Sequence, residues 1–326
     1  MKRSIIIVLA LLFLASACAR PRTVQKTETI MGTEVTVTVV APSEKEGAAA
    51  IDAAMAEIRR FDDMMSLYKD TSELTKVNLA AGKHPVKVSP EMIEVVEAAA
   101  RISDLTNGAF DVTVGPLAVL WQMRLKEKKV PTDREITLAR SRVGYRNIVI
   151  DKEVSTLFLK KSDMIMDLGG VAKGYAADKA AAALKKLGII NGIVAIAGDI
   201  RVMGKRPDGS PWRIGVQHPR EADKTLVVLD LSDKSISTSG DYERFQIVKK
   251  KRYHHIIDPR TGKPSEGLIS VTVVGDSGAL VDPLTTALFI VGAENGMALV
   301  KELACEAIFE DEAGRVTSTE GIPIKK

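Results

Sequence analysis

MIMDLGGVAKGYAAD (164–178) holds three signals in succession: an apolar run that reads as a short buried strand, a Gly-Gly turn, and the start of an Ala-rich helix. That order aims free backbone N–H groups at an anion, and the glycines let a ligand come close to the backbone. A Gly-Gly turn before a helix also serves purely structural ends. The fingerprints of the doubly wound nucleotide folds are missing, since the stretch is neither G-x-x-x-x-G-K-[ST] nor G-x-G-x-x-G. The C-terminal half of the chain decides the class. The helix is expected from Lys173 to Leu187, closed by Gly188. Short strands then dominate, at 193–197, 212–216, 225–231, 245–248, 252–257 and 268–275. Strands and helices do not alternate, so the chain reads as α+β rather than doubly wound.

Upstream, Glu34 to Val40 alternates polar and apolar as a half-buried strand does. Ser43 with Glu46 forms a capping box before a helix reaching about Ser66. Ser89-Pro90 opens another helix, with Met92, Val95, Val96 and Ala99 on one face, and Thr132 with Glu135 opens a third. Residues 147–151 and 156–159 read as a hairpin. A last helical region covers 283–303, with Asp282 as N-cap and Pro283 at its first position.

Composition bounds the function. The 326 residues are 45% apolar and 27% charged, as in ordinary globular proteins. A net charge of +4, without a basic stripe interleaved with aromatics, argues against nucleic acid. Lys249 to Arg252 is the densest basic cluster, read as a solvated hairpin tip or as a contact for phosphate or lipid headgroups. Residues 1–17 read as a signal peptide: Lys2 and Arg3 precede the apolar run Ile5–Ala15, which is too short to span a bilayer. Ala15-Ser16-Ala17-Cys18 resembles a lipobox, although Ala15 stands where Leu is usual. Lipidation of Cys18 is therefore expected, with ordinary signal cleavage as the alternative. Residues 18–26 are then a tether and 27–326 one large domain. Each buried acyl methylene contributes about 0.8 kcal/mol to anchoring. The second cysteine, Cys305, lies in an apolar helical stretch and reads as a core residue, so no disulfide framework exists.

Two further stretches carry chemistry. In VDPLTTALF (281–289), Asp282 and Thr286 are one helical turn apart and offer oxygen ligands suited to Mg²⁺; no His/Cys cluster supports zinc. In HHIIDPRTGKP (254–264), His255 is a candidate general base, with a satisfied structural histidine as the alternative. His254 must face the other side of the strand, and Asp258 either orients the imidazole or begins an Asp-Pro turn. The hydroxyls of STSGDY (237–242) suit phosphate or ribose, or a plain polar turn. Without G-x-S-x-G or S-x-x-K, a serine hydrolase is a weak reading.

These segments, with Met31-Gly32-Thr33, MSLYKDTSELTKVN (65–78), GAFDVTVGPL (108–117) and AGDI (197–200), occur in the order seen in the ApbE family of FAD:protein FMN transferases, which the chain resembles from about Met31 to Phe309. Ala197 departs from the glycine frequent at that turn. The resemblance implies a single domain of mixed, mainly antiparallel sheet with flanking helices and a cleft between two lobes. It implies FAD as substrate, held by Met31, Tyr68, Ala109, Phe110, Asp111, Gly169, Lys173, Tyr175 and Ile257. It also implies Mg²⁺ on the Ala172 carbonyl, Asp282 and Thr286, and His255 as the base. Tyr68 is expected to help close the metal site to water. The implied acceptor is a flavoprotein subunit of a membrane redox complex, met outside the cytoplasm, on the periplasmic side. Two alternatives use the same chain: a Mg²⁺-dependent FAD pyrophosphatase releasing FMN and AMP, and a flavin-binding lipoprotein without catalysis. A carrier needs neither His255 nor the Asp282/Thr286 pair.

Overall fold

The computed structural model describes residues 21–221 and 223–325; the expected signal peptide and Cys18 lie outside them. Eight strands form one antiparallel sheet: β1 Arg22–Ile30, β2 Thr33–Ala41, β3 Gly192–Ile196, β4 Asp199–Met203, β5 Ser235–Gly240, β6 Leu268–Gly275, β7 Glu306–Asp311 and β8 Val316–Ser318. Each pairs with the next. The alternation in β2 explains its seat: Val35, Val37 and Val39 are fully buried, and Thr36 and Thr38 face the other way. Residues 22–26, expected as tether, are the first half of β1, because β2 needs a partner on its outer edge.

Seven α-helices are described: α1 Glu44–Met65, α2 Glu73–Leu79, α3 Pro90–Leu105, α4 Gly115–Lys126, α5 Asp133–Arg140, α6 Ala172–Lys186 and α7 Gly278–Glu302. One core joins β2 and β3 to α1, α3 and α6, with Ile51, Met55, Ile58 and Phe61 along the inner face of α1. A second lies under α7, where Leu284, Leu288 and Phe289 meet Val271, Val273 and Phe309. The hairpin Trp212–Gln217/Thr225–Leu231 covers the sheet's opposite face. A separate small core unites α4 and α5 (Leu117, Trp121, Ile136) with Val248 and Ile257. The Trp121 indole N–H donates to Gly262 O at 2.8 Å. This small lobe faces the main body, so the expected α+β, two-lobed architecture is present.

Helix α6 crosses α7 in backbone contact. A Cβ placed on Gly174 would lie 2.2 Å from Gly278 O, and one on Gly278 would lie 2.2 Å from Gly174 O, so only glycine fits either position. Asp178 of α6 reinforces the crossing by accepting from Ser277 Oγ (2.9 Å) and the Ala279 N–H (3.2 Å). A carboxylate from one helix thus caps the N-terminus of the next.

That cap corrects the expected start of the last helix. α7 begins at Gly278, so Asp282 is an interior residue rather than an N-cap, and Pro283 lies inside the helix. Local sequence signals a start at Asp-Pro, but the cap arrives from another element. The expected strand at 164–166 is reduced to one bridge, Ile165 with Val114, although Met164 and Met166 are buried. The expected strand 252–257 breaks after His254 and resumes at Ile257 to pair with Pro264. Cys305 is buried as expected, but past the end of α7 rather than within it.

Gly174→Val should drive the two helices apart. Overpacking a tight contact costs about 1–3 kcal/mol, and a carbonyl cannot yield as a side-chain tip can. A urea unfolding midpoint equal to that of the native chain would show that the crossing tolerates a side chain.

Candidate active site

The crossing brings the first turn of α6 against the early turns of α7. Asp282 is buried, and its Oδ2 accepts the Gly174 N–H at 2.9 Å. One turn along α7, Thr286 Oγ1 lies 3.6 Å from where a Cβ on Gly170 would sit, and the Phe110 ring lies 3.1 Å from that same point. Ala172 stands between Gly170 and Gly174 in the chain, between the points that meet Thr286 and Asp282. The three oxygen-bearing positions expected to hold Mg²⁺ are therefore neighbours.

The electrostatics suit a cation. Burial, then the nearby Asp199 carboxylate, push the Asp282 pKa up to about 7, against the pull of Lys173 and the Gly174 N–H. For Lys173, burial works to lower the pKa, but Asp199 and then Asp282 outweigh it and raise it. Lys173 is ion-paired to the buried Asp199. One ammonium faces two carboxylates in a poorly solvated place, so the second carboxyl ionises fully only with a further cation beside it. An oxygen-only donor set fits a hard cation such as Mg²⁺.

Behind these groups runs a hydroxyl chain: Ser237 and Ser239, read from the sequence as phosphate or ribose contacts or a polar turn, lie in strand β5 and bond to protein groups, joined by Asp199 and Thr285, which the sequence-based site lacked. Ser237 Oγ donates to Asp199 Oδ1 at 2.5 Å and lies 3.2 Å from Thr285 Oγ1. Ser239 donates to Thr285 Oγ1 (3.1 Å) and lies 3.3 Å from Thr286 Oγ1. Thr285 donates to Asp282 O at 2.7 Å. The signal was the period of two in STSGDY, which puts Ser237 and Ser239 on one face of β5.

His255 follows the hairpin Phe245–Val248/Lys251–His254. Its backbone N–H donates to Arg244 O at 3.1 Å, and its Nδ1 lies 3.2 Å from the same oxygen. Nδ1 therefore carries the proton, and Nε2 keeps a free lone pair. The ring meets solvent on its outer side, yet its surroundings are dense: burial first, then the Arg244 charge, hold its pKa below the usual histidine value. Lys173 acts on it as well as on Asp282, so one ammonium lies within electrostatic reach of both. His254 faces the opposite way as expected, buried, with Nε2 2.8 Å from Ser265 O. Asp258 does not orient His255; it accepts from the Arg260 guanidinium (2.9 Å) and N–H (2.8 Å) and makes the turn.

The remaining expected ligand residues divide. Ala109 and Phe110 are buried, with Phe110 beside Gly170. Asp111 spends both oxygens inside the fold, Oδ1 on the Thr113 N–H (2.7 Å) and hydroxyl (2.6 Å), Oδ2 on the Tyr145 N–H (2.8 Å). It borders a pocket of about 260 Å³ with Gly108, Tyr145 and Pro259. Met31 sits with Gly32 in the β1–β2 turn at φ 54° and 69°, a type I′ geometry that presents a half-buried thioether at the sheet end. The Gly169 N–H donates to Asp167 Oδ1 at 2.8 Å. Ile257 belongs to the small-lobe core. Tyr175 is interior: its ring meets Phe61 edge-on at 5.2 Å, and its hydroxyl donates to Glu94 at 2.6 Å. Tyr68 is 88% exposed and closes nothing in this conformation. A larger cavity of about 780 Å³ opens on the His254 side, with the ion pairs Arg220–Asp241 and Lys263–Asp133 in its lining.

Both neighbouring histidines have folded pKa values below the unfolded value, His254 through burial first. The unfolded chain therefore binds protons more readily, and stability present above about pH 6.5 declines as the pH falls through the folded values. NMR titration should give midpoints below 6.5 for both rings; a His255 midpoint at or above that value would contradict the neutral base.

Comparison with known proteins places the chain in a family. A match to the ApbE family covers residues 31–309. The FAD:protein FMN transferase of Vibrio cholerae serotype O1 is 36% identical over 308 residues, covering 92% of this chain and 91% of that protein. That of Escherichia coli K12 is 31% identical over 277 residues, covering 83% and 79%. The crystal structure of the ApbE protein from Thermotoga maritima superposes with a TM-score of 0.85 at 31% identity, covering 92% of this chain and 97% of that one. The flavin transferase ApbE from Vibrio cholerae gives 0.81 at 31% identity, again covering 92% and 97%.

Proposed function

The chain belongs to the ApbE family, and from that premise we propose that it transfers FMN from FAD to a Thr or Ser hydroxyl of an acceptor flavoprotein and releases AMP. The observation that carries this reading is the buried oxygen cluster on α6 and α7, with His255, its Nδ1 held by Arg244 O, subject to the charge of the same Lys173.

The chemistry follows from those groups. Ala172 O, Asp282 and Thr286 would hold Mg²⁺, whose positive charge would offset that of the diphosphate. Phe110 and the glycines at 169–170 give the ligand a close approach to the start of α6. His255 Nε2 takes the proton of the acceptor hydroxyl as its oxygen bonds to the FMN-side phosphorus. The bond from that phosphorus to the bridging oxygen breaks, and AMP leaves with the bridging oxygen and the electron pair. FMN remains as a phosphoester on the acceptor. Lys173, fixed by Asp199, keeps its charge and helps hold the imidazole neutral.

A signal peptide at 1–17 and lipid on Cys18 would set the protein on the periplasmic side of a membrane. There, a flavin-carrying subunit of a membrane redox complex is the acceptor this reading favours.

Incubation with FAD, Mg²⁺ and a threonine-bearing acceptor domain should leave flavin fluorescence on the acceptor band of a denaturing gel. Free FMN and AMP beside an unlabelled acceptor would select the pyrophosphatase, and intact FAD would select the carrier. His255→Ala should still bind FAD while transfer falls by about 10²-fold or more; transfer at the native rate would remove His255 from the mechanism. EDTA should abolish labelling and excess Mg²⁺ should restore it, as should be true of no variant lacking Asp282.

A further inference from the structure

Four hydroxyl groups meet where β5 lies against α7, and their protons can be counted. Ser237 Oγ is 2.5 Å from Asp199 Oδ1, and Thr285 Oγ1 is 2.7 Å from Asp282 O. A carboxylate and a carbonyl only accept, so Ser237 and Thr285 each spend their single proton there. Thr285 is fully buried, and toward its other neighbours it can only accept. Ser237, 3.2 Å away, has no proton left for it. Ser239, at 3.1 Å, is then the donor to Thr285 Oγ1, and that spends the Ser239 proton in turn. The 3.3 Å contact between Ser239 Oγ and Thr286 Oγ1 is therefore a hydrogen bond in one sense only, with Thr286 donating.

The hydroxyls thus form a directed path, from Thr286 to Ser239 to Thr285 to Asp282 O. Its direction matters because a hydroxyl oxygen has one proton and two lone pairs. With the proton turned toward Ser239, both lone pairs of Thr286 are left for a cation. A helical threonine often turns its proton back to the carbonyl four residues earlier. For Thr286 that carbonyl is Asp282 O, which carries the Thr285 hydroxyl, and Thr286 lies against Ser239 instead. Thr285 is closed off, whereas Thr286 is only half-buried, with its oxygen near Gly170.

We propose that Ser239 is a positioning residue for the cation: by accepting the Thr286 proton, it holds that oxygen with its lone pairs free for the metal. The proposal rests on the Mg²⁺ reading above and adds a residue that acts through Thr286, not on FAD itself. A divalent cation on the Thr286 oxygen would make its O–H the stronger donor, so the contact with Ser239 tightens as the site fills. The same strand supplies a control. Thr238 lies between the two serines and points to the other face of the sheet, where its hydroxyl meets that of Thr272 at 2.9 Å. Thr238→Ala removes a half-buried hydroxyl and its partner contact without touching the path.

The test titrates the full chain with Mn²⁺, a cation of the same oxygen preference as Mg²⁺, with FAD and without it, and reads free Mn²⁺ by electron paramagnetic resonance. Ser239→Ala should raise the Mn²⁺ dissociation constant about tenfold or more, whereas Thr238→Ala should leave it at the native value. Thermal melts of both variants separate a loss of stability from a loss of metal affinity. In transfer assays Ser239→Ala should need about tenfold more Mg²⁺ for half its maximal rate and approach the native rate at saturation. Native Mn²⁺ affinity in Ser239→Ala would overturn the proposal and leave the metal reading standing. So would weaker FAD binding in EDTA with Mn²⁺ affinity intact, which would make Ser239 a direct contact of the ligand. Equal losses of Mn²⁺ affinity in Ser239→Ala and Thr238→Ala would reduce Ser239 to a structural residue. A native chain that takes up no Mn²⁺ in either state would remove the metal reading itself, and the proposal with it.

Discussion

The contact on which the site depends is Gly174 against Gly278, backbone on backbone. Helices whose crossing carries side chains keep axes about 8–10 Å apart; here each glycine leaves no room for a methyl group. That closeness lets a carboxylate on α7 reach a backbone N–H in the first turn of α6. It also lets Asp178 cap α7 from outside. The oxygen cluster is thus a product of helix packing, and its precision is that of the core.

Charge then organises what packing has assembled. Asp282 and Asp199 are held out of bulk water, where an uncompensated charge is expensive, and the partly exposed Lys173 closes over them. The Ser237 hydroxyl of β5 fixes how Asp199 points, and the Gly174 N–H does the same for Asp282. Lys173 acts by its charge on both the cluster and the imidazole. Burial first and the Arg244 charge next discourage protonation of the ring, and the ammonium that tempers the carboxylates adds a smaller push the same way.

Much of this was legible in the chain because the signals are local. The Val35–Val37–Val39 alternation, the Ser89-Pro90 start and the Thr132/Glu135 capping box all form as read. The left-handed Gly188 at φ +80° ends α6 where expected. Where the reading failed, distance along the chain was the reason. Asp-Pro at 282–283 looks like a helix start, but a carboxylate a hundred residues earlier supplies the cap and moves the start to Gly278. Asp199 and Ser237 could not be tied to Lys173 without knowing that β4 lies beside β5. Tyr175 and Asp111 show the converse: polar groups that suggest ligand contact have partners of their own in Glu94, Thr113 and Tyr145.

The way the small lobe is threaded has a mechanical result. Its helices leave the main sheet between β2 and β3, and its hairpins leave between β5 and β6. Two separate excursions give four chain crossings at the boundary, and all would have to flex together for the lobes to swing apart. A lobe moored at so many points behaves as a fixed abutment, so traffic through the cleft falls to individual side chains such as the outlying Tyr68 ring.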